Sequence, residues 1–332
     1  MAKVEKIVGI DISKSTFSVA YRSGLSVKTN EWNYTDGQIR KFAETLQGEA
    51  CIAIMEATGV YHTRLAYHLH SKGIKVSVVN PLAAKNYARM QMRRTKTDKA
   101  DSVLLMEYGE MMDLEPWRPR EEWCVEVQQI QSLIEGKNKE LTASKNRMEA
   151  LSHSEHASKM CVEMLKKDIE RVKKDIKKLE KEMERLVISN DGDNMRRLET
   201  IPGMGRKTSC MLLAMTESMK HFDSCRQLSS YLGLCPRVYE SGASVRGKAR
   251  ICKMGLGSAR NALYLCSWSA IKFNKKCREM YERLIEKGKA KKLALIAVAN
   301  KLLKQAFAVL KSGVDYDENY ISEKKVQKTL AY

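Results

Sequence analysis

Over the first 115 residues, short apolar runs alternate with amphipathic stretches. Alternating or continuous apolar runs predict β-strands, whereas apolar positions three and four residues apart predict helices. Strands are predicted at residues 6–13, 16–21, 26–32, 50–55 and 75–80, and helices at residues 36–47, from about 61, from 82 and at 97–112. The first two strands form a hairpin, and Thr97 has the side chain of a helix N-cap. The alternation of strands and helices predicts a mixed α/β sheet.

The pattern changes after Pro116 and Pro119, which mark a boundary. A strict heptad seam then steps by three and four residues through Val162, Leu165, Ile169, Val172, Ile176, Leu179, Met183 and Leu186. A weaker seam over residues 127–151 is interrupted at Lys137 and Ser144. These seams predict a helical hairpin or a pair of coiled-coil arms. The alternative is two ordinary amphipathic helices packed on a globular body.

A second boundary is predicted at residues 190–194, where the polar sequence NDGDN follows the seam. The last third is predicted to be mainly helical, with a long apolar and basic helix at about 289–310. The sequence therefore predicts three segments: an α/β domain at residues 1–115, a helical assembly segment at 116–190 and a third domain at 191–332.

The net charge of +19 is concentrated in the third segment. Residues 1–115 carry +3, residues 116–190 carry +2 and residues 191–332 carry +14. A one-sided excess of this size is typical of a protein that binds a polyanion such as nucleic acid. A soluble basic domain without such a partner is the alternative.

Other features of the composition narrow the class of protein. The sequence has no run of eighteen apolar residues and no apolar core of a signal peptide near Met1, so we expect no membrane partner. Nine scattered cysteines without a C-x-x-C pair predict neither a disulfide framework nor a cysteine zinc site. The expected location is the cytoplasm.

Four carboxylates lie at the ends of predicted core elements. Asp11 is inside an apolar strand, Glu56 follows a second strand, and Asp98 and Asp101 begin a helix. Acids in these positions can hold Mg²⁺ or Mn²⁺ through oxygen ligands, and two such ions can clamp a phosphodiester. Taken singly, Asp98 is equally a charge that favours the helix dipole, and Glu56 an acid near a helix start.

Two further segments are candidates for phosphate contacts. The glycine turn IPGMG at 201–205 precedes Arg206 and Lys207, and such a turn can present N–H groups to a phosphate. The second segment, residues 234–250, carries Ser241 next to Gly242. A serine hydroxyl needs a base or a stabilised charge to act as a nucleophile. A polar turn is the alternative for this segment, whose basic residues are Arg237, Arg246, Lys248 and Arg250.

The order and separation of five motifs resemble a known family. The motifs are IVGIDISKSTF, IMEATGVYH, RRTKTDKADSVLL, IPGMGRKTS and GLCPRVYESGASVRGKAR. Together they resemble the DEDD transposases of bacterial insertion sequences, also described as bridge-RNA-guided recombinases. The resemblance covers about residues 5–312.

This resemblance implies a RuvC-like domain of the ribonuclease H fold, a coiled-coil insertion, and a mainly α C-terminal transposase domain with a helix-hairpin-helix-like element. It assigns Asp11, Glu56, Asp98 and Asp101 to the four metal-binding acids and Ser241 to the nucleophile that forms a phosphoserine link with DNA. It further implies a composite active site built from two protomers of a tetramer. It also implies that a structured non-coding RNA pairs with donor and target DNA, and that the protein associates with the nucleoid when it acts.

Two positions depart from the common pattern of the family. Glu240 precedes Ser241 where many members have a second serine, and Ser102 follows Asp101 where many have alanine. Neither change removes a ligand or the nucleophile. Two alternatives remain at this stage: a metal-dependent junction nuclease that uses water, and a non-catalytic nucleic-acid-binding protein.

Overall fold

The computed structural model describes residues 6–57, 59–95, 97–237, 240–241, 245–246 and 250–320, with backbone only at Glu240, Ser241, Val245 and Arg246. The chain divides into two compact units, Met1–Pro119 and Arg120–Tyr332. Gly242 and Lys248 lie outside the described residues. The three functional segments inferred from the sequence stay a prediction.

The first unit contains a five-stranded mixed sheet. Its elements are β1 (Lys6–Ile12), β2 (Thr16–Ser23), β3 (Ser26–Asn33), α1 (Asp36–Leu46), β4 (Cys51–Glu56), α2 (Tyr61–Ser71), β5 (Lys75–Val79), α3 (Pro81–Met90) and α4 (Asp98–Met111). The strand order is β3-β2-β1-β4-β5. The pairs β1–β2 and β2–β3 are antiparallel, whereas β1–β4 and β4–β5 are parallel. The predicted mixed sheet is confirmed, and this topology is that of a ribonuclease-H-like fold.

Helix α4 packs closely over β1 because Gly9 has no side chain. A Cβ atom at Gly9 would lie 2.1 Å from the carbonyl oxygen of Ser102 and 2.3 Å from the nitrogen of Met106. At the other end of the helix, a Cβ at Gly109 would lie 1.8 Å from Cδ1 of Ile54. The two glycines let the helix backbone approach the sheet, which a larger residue would prevent.

The second unit is mainly helical. Its helices are α5 (Glu122–Ser152), α6 (Lys159–Glu199), α7 (Arg206–Thr216), α8 (Cys225–Tyr231), α9 (Gly257–Phe273), α10 (Lys275–Glu286) and α11 (Lys291–Ser312). Four two-residue strands form two antiparallel ladders: β6 (Pro236–Arg237) pairs with β9 (Arg250–Ile251), and β7 (Glu240–Ser241) with β8 (Val245–Arg246).

Helices α5 and α6 pack against each other as a helical hairpin. Val172, Ile176, Met183 and Leu186 of the predicted seam are buried, and the other four seam residues are half-buried. The burial agrees with a helical hairpin, while the supercoil of a true coiled coil stays a prediction.

The predicted break at residues 190–194 does not end the helix. Helix α6 continues to Glu199, and only Asp191 leaves helical geometry, with φ −150° and ψ 43°. The apolar stripe explains the continuity, because Val187, Met195 and Leu198 are buried on both sides of the kink. Asp191 falls on this stripe, where its carboxylate accepts a hydrogen bond from the Ser218 hydroxyl.

Helix α11 is long and apolar enough to span a membrane by length and composition, and it is the one such helix among the described residues. Half of its apolar window is buried inside the second unit. Leu295 is buried, and Val298, Leu302 and Leu303 belong to the core shared with α6, α7 and α9. We therefore interpret α11 as a core helix.

Candidate active site

Strand pairing brings Asp11 and Glu56 side by side. In the parallel β1–β4 ladder Ile10 is opposite Met55, and Asp11 and Glu56 are the next residues of each strand. Neighbouring strands are about 4.8 Å apart, and residues at equivalent positions project from the same face. Both acids are half-buried and lie where the two strands end.

Helix α4 supplies the other two acids. Its N-cap is Thr97, as the sequence predicts, and the Thr97 side chain accepts a hydrogen bond from the backbone N–H of Ala100. Asp98 and Asp101 lie in the first helical turn. Ser102, the next residue after Asp101, is the point where the helix backbone meets Gly9, two residues before Asp11 on β1.

The electrostatics of Asp11 show that the four acids act on one another. The pKa of Asp11 is raised to about 6. Burial is the largest cause, followed by repulsion from the carboxylates of Asp101, Asp98 and Glu56. A backbone hydrogen bond at Ile12 acts in the opposite direction. The four residues predicted from the sequence therefore form one anionic cluster at the end of β1.

The chemistry of this cluster fits a divalent cation. Among the described residues, no group of three or more His, Cys, Asp or Glu side chains is arranged so that it could hold a metal ion as it stands. The donors are nevertheless all carboxylates, which are the ligands that Mg²⁺ and Mn²⁺ prefer. Their mutual repulsion is the charge imbalance that a cation neutralises, so the residues fit the group that the sequence implies.

The glycine turn at 201–205 has a packing role in the structure. Gly203 has φ 96°, and a Cβ atom there would lie 2.7 Å from the backbone of Ala270 on α9. The side chains of Arg206 and Lys207 are exposed but form ion pairs with acids of α6. Arg206 Nε lies 2.6 Å from Glu199 Oε1, and Lys207 pairs with Glu180. Phosphate binding at this turn, and its helix-hairpin-helix character, stay predictions.

Ser241 lies in β7, beyond the β6–β9 ladder. Ser241 is opposite Val245, and Glu240 is opposite Arg246 in the backbone register. Ser241 is therefore the last paired residue of β7 among the described residues. The strands β6 and β9 form the stem of this serine hairpin, which comprises residues 236–251.

Two of the predicted arginines lie directly opposite each other in the stem. Arg237 of β6 is paired with Arg250 of β9, and both residues are exposed. Directly opposed residues in an antiparallel ladder have side chains on one face with Cβ atoms about 5 Å apart. Two like charges at this separation repel each other, and an anion between them would remove the repulsion.

The sequence reasoning missed Gly9 as a residue of the site. Gly9 holds no ligand, but its missing side chain lets α4 bring Asp98 and Asp101 toward the end of β1. The signal was present, because a glycine inside an apolar strand often marks the close approach of another backbone.

Comparison with known families and proteins now places the chain in a class. Residues 8–153 match a family described as "Transposase", the DEDD group of IS110, and residues 195–282 match the "Transposase IS116/IS110/IS902 family". The chain belongs to the IS110 family of transposases. It is therefore an enzyme of DNA recombination, which cuts and rejoins DNA strands, and not a non-catalytic binding protein.

Particular relatives extend along nearly the whole chain. It is 31% identical to the pilin gene-inverting protein of Moraxella lacunata over 94% of this chain and 97% of the relative. It is 26% identical to a putative transposase of Sinorhizobium fredii over 94% of this chain and 86% of that protein. A solved T. thermophilus RuvC, in complex with a Holliday junction substrate, aligns with 34% of this chain and 99% of its own at 13% identity and a TM-score of 0.26.

Proposed function

We propose that this transposase cuts and rejoins donor and target DNA through a covalent phosphoserine link at Ser241, with sequence choice delegated to a structured RNA. The observation that carries the metal-dependent half of the proposal is the action of three carboxylates on Asp11. The observation that supports the serine half is the opposed arginine pair in the stem of the serine hairpin.

The acids are proposed as ligands for Mg²⁺ or Mn²⁺. Asp11, Glu56, Asp98 and Asp101 would hold the ion, which supplies Lewis-acid stabilisation of charge on the phosphate. Burial and, after it, the three neighbouring carboxylates raise the pKa of Asp11, and a bound cation would favour its charged form. The roles of the individual acids are proposals from the motif match and from this electrostatic coupling.

The serine step is a phosphoryl transfer. The Ser241 oxygen forms a bond to phosphorus as its hydroxyl proton leaves, and the sugar oxygen departs with the electron pair of the broken P–O bond and takes up a proton. One phosphodiester is exchanged for another, so the reverse step can reseal a strand without ATP. Arg237 and Arg250 are suited to hold a phosphate oxygen, because guanidinium groups bind phosphate with paired hydrogen bonds.

Assembly and guidance are the remaining parts of the proposal. The acids belong to the first unit and Ser241 to the second, so the reaction needs both units, which we propose come from two protomers of a dimer or tetramer. The RNA guide is proposed from the motif resemblance and from the charge excess of residues 191–332. The relative named for pilin gene inversion fits a reaction in which two DNA sites are broken and rejoined.

The decisive experiment looks for a covalent adduct. The wild-type protein, incubated with its element DNA, copurified RNA and Mg²⁺, should give a protein–DNA species that survives denaturant and migrates slowly on a gel. Ser241→Ala should abolish this species and leave DNA binding nearly intact, since one hydroxyl adds little to a charge-dominated interface.

Ser244→Ala is the matched control, because it changes a second serine three residues further along the sequence and should leave the adduct in place. An adduct that disappears in Ser244→Ala and persists in Ser241→Ala would assign the nucleophile to Ser244. Cleavage without any adduct would favour the alternative, a junction nuclease in which water attacks the phosphate.

A further inference from the structure

Helix α9 exposes large apolar side chains on the face opposite its buried side. Leu265 is 60% exposed, Trp268 47% and Phe273 70%. The opposite face carries Ala259, Leu263, Cys266 and Ala270, which belong to the core. At 100° per residue, the exposed face spans an arc of about 140°. We call it the α9 platform; its members are Asn261, Leu265, Trp268, Ser269, Lys272 and Phe273.

An amphipathic helix normally presents polar residues to water, so three large apolar groups on the outer face need an explanation. The charge around the platform indicates what covers it. Residues 224–278 contain eleven Lys or Arg and one acidic residue, Glu240, and α9 itself contains no acid. A second copy of this equally basic segment would be repelled, whereas a polyanion would be attracted.

Helix α9 and the serine hairpin share one anchoring point. Arg260, in the first turn of α9, donates a hydrogen bond of 2.9 Å from Nη1 to the carbonyl oxygen of Leu232. The stem begins here, because the Cys252 N–H donates to the Cys235 carbonyl at 2.9 Å. Trp268 lies eight residues beyond Arg260, about 12 Å along the helix. Trp268 is therefore about two helical turns from the point where α9 is tied to the chain that enters the stem.

The exposed ring of Trp268 can stack on the face of a base, and the bases inside a DNA duplex have no free face. In a duplex the base faces are already stacked on each other, whereas an unpaired base has a free face. Stacking on aromatic side chains is the usual way that proteins hold unpaired bases, with basic residues gripping the backbone. Lys272, one turn after Trp268 on the same face, is placed for such a backbone contact.

We propose that the α9 platform binds an unpaired DNA base of the strand beside the cleaved phosphate, with Trp268 as the stacking ring. The proposal rests on the proposed function only in placing a DNA strand at the serine hairpin. The chemical class of the ligand is single-stranded DNA, and the platform keeps the freed strand close to Ser241 before rejoining.

The test measures binding of the full-length protein to a labelled single-stranded DNA of about twenty nucleotides, to the same sequence as a duplex, and to the corresponding RNA. Trp268→Ala should raise the Kd for single-stranded DNA about tenfold and change the Kd for the duplex less than twofold. Trp268→Phe keeps an aromatic face and should stay within about threefold of wild type, whereas Trp268→Leu should resemble Trp268→Ala.

Leu133→Ala is the matched control, because Leu133 is 50% exposed but lies on α5, outside the platform. This variant should bind all three probes like wild type. Equal weakening for single strand and duplex, an effect on RNA alone, or rescue by Trp268→Leu would each overturn the proposal. A lower assembled mass of Trp268→Ala in light scattering, with unchanged binding, would assign the face to a protein contact. Because these probes are bound without being cleaved, the outcome is independent of whether an adduct forms at Ser241.

Discussion

Replacing Asp11 with Asn should stabilise the metal-free protein while it destroys cleavage. The carboxylate of Asp11 is half-buried and faces Asp101, Asp98 and Glu56, so its negative charge destabilises the fold when no cation is bound. Asparagine keeps the shape and removes the charge. A carboxylate that stabilises the fold would show the opposite behaviour, because its replacement would lower the free energy of unfolding.

The size of the gain follows from the pKa. A rise from 3.8 to about 6 corresponds to about 3 kcal/mol of unfavourable interaction in the charged state. Asp11 is partly exposed, so solvent reduces both the burial penalty and the repulsion, which brings the expected gain to about 1–2 kcal/mol. For a unit of this size the gain raises the unfolding midpoint by about 5 °C.

The pH dependence has a definite sign. The folded state holds the Asp11 proton more tightly than the unfolded state, so wild-type stability falls as pH rises from 3.8 to about 6. The penalty is complete above pH 6, and the advantage of Asp11→Asn is largest there. At pH 5 about half of the advantage should remain.

Calorimetry in EDTA at pH 7.5 and pH 5 measures these differences directly. Glu44→Gln is the matched control: it removes one exposed acid from α1 and should not shift the midpoint. Added Mg²⁺ should raise the midpoint of wild type more than that of Asp11→Asn. A midpoint of Asp11→Asn equal to or below that of wild type at pH 7.5 would refute the anionic cluster.

Three other substitutions test other parts of the structure. Gly9→Ala should destabilise the first unit by about 3 kcal/mol and abolish cleavage, because the new Cβ collides with α4. Gly37→Ala is the control: its new Cβ has no neighbour within 4 Å, so it should not lower the unfolding midpoint. Arg250→Gln should weaken DNA binding and reduce the slope of log K against log salt by about one, and an unchanged slope would remove Arg250 from the phosphate contacts. Ile176→Lys places a charge inside the α5–α6 hairpin and should lower its helicity and the assembled mass, whereas exposed Lys177→Ala should change neither.

The sheet and the acid cluster were predictable because both follow from local rules. Apolar runs defined β1, β2, β4 and β5, whereas β3 is mostly polar and exposed. Thr97 marked the start of α4 by its capping side chain. Once β1 and β4 are known to be adjacent parallel strands, Asp11 and Glu56 are expected to lie side by side. The closeness of α4 depends on Gly9, whose meaning is visible only once the helix is packed over it.

The polar stretch at 190–194 contains a kink at Asp191 instead of a loop. A sequence of Asn, Asp and Gly is typical of a loop, yet burial of Met195 and Leu198 on the stripe of α6 outweighs the poor helix propensity. The partners of Arg206 were equally invisible, because Glu184 and Glu199 reach it only through the packing of α7 on α6. Long-range ion pairs leave no local pattern in a sequence.

The continuity of α6 has a mechanical consequence. From Lys159 to Asn190 the helix is a regular rod about 48 Å long, and the shorter segment after Asp191 leads into the loop that Gly203 fastens to α9. A regular helix is stiff along its length, so any tilt imposed at the far end of the hairpin must be absorbed where its hydrogen-bonded ladder is already broken. That point is Asp191, tied to Ser218 by one hydrogen bond. The kink is therefore the point at which the long arm of α6 can bend relative to the segment that follows it.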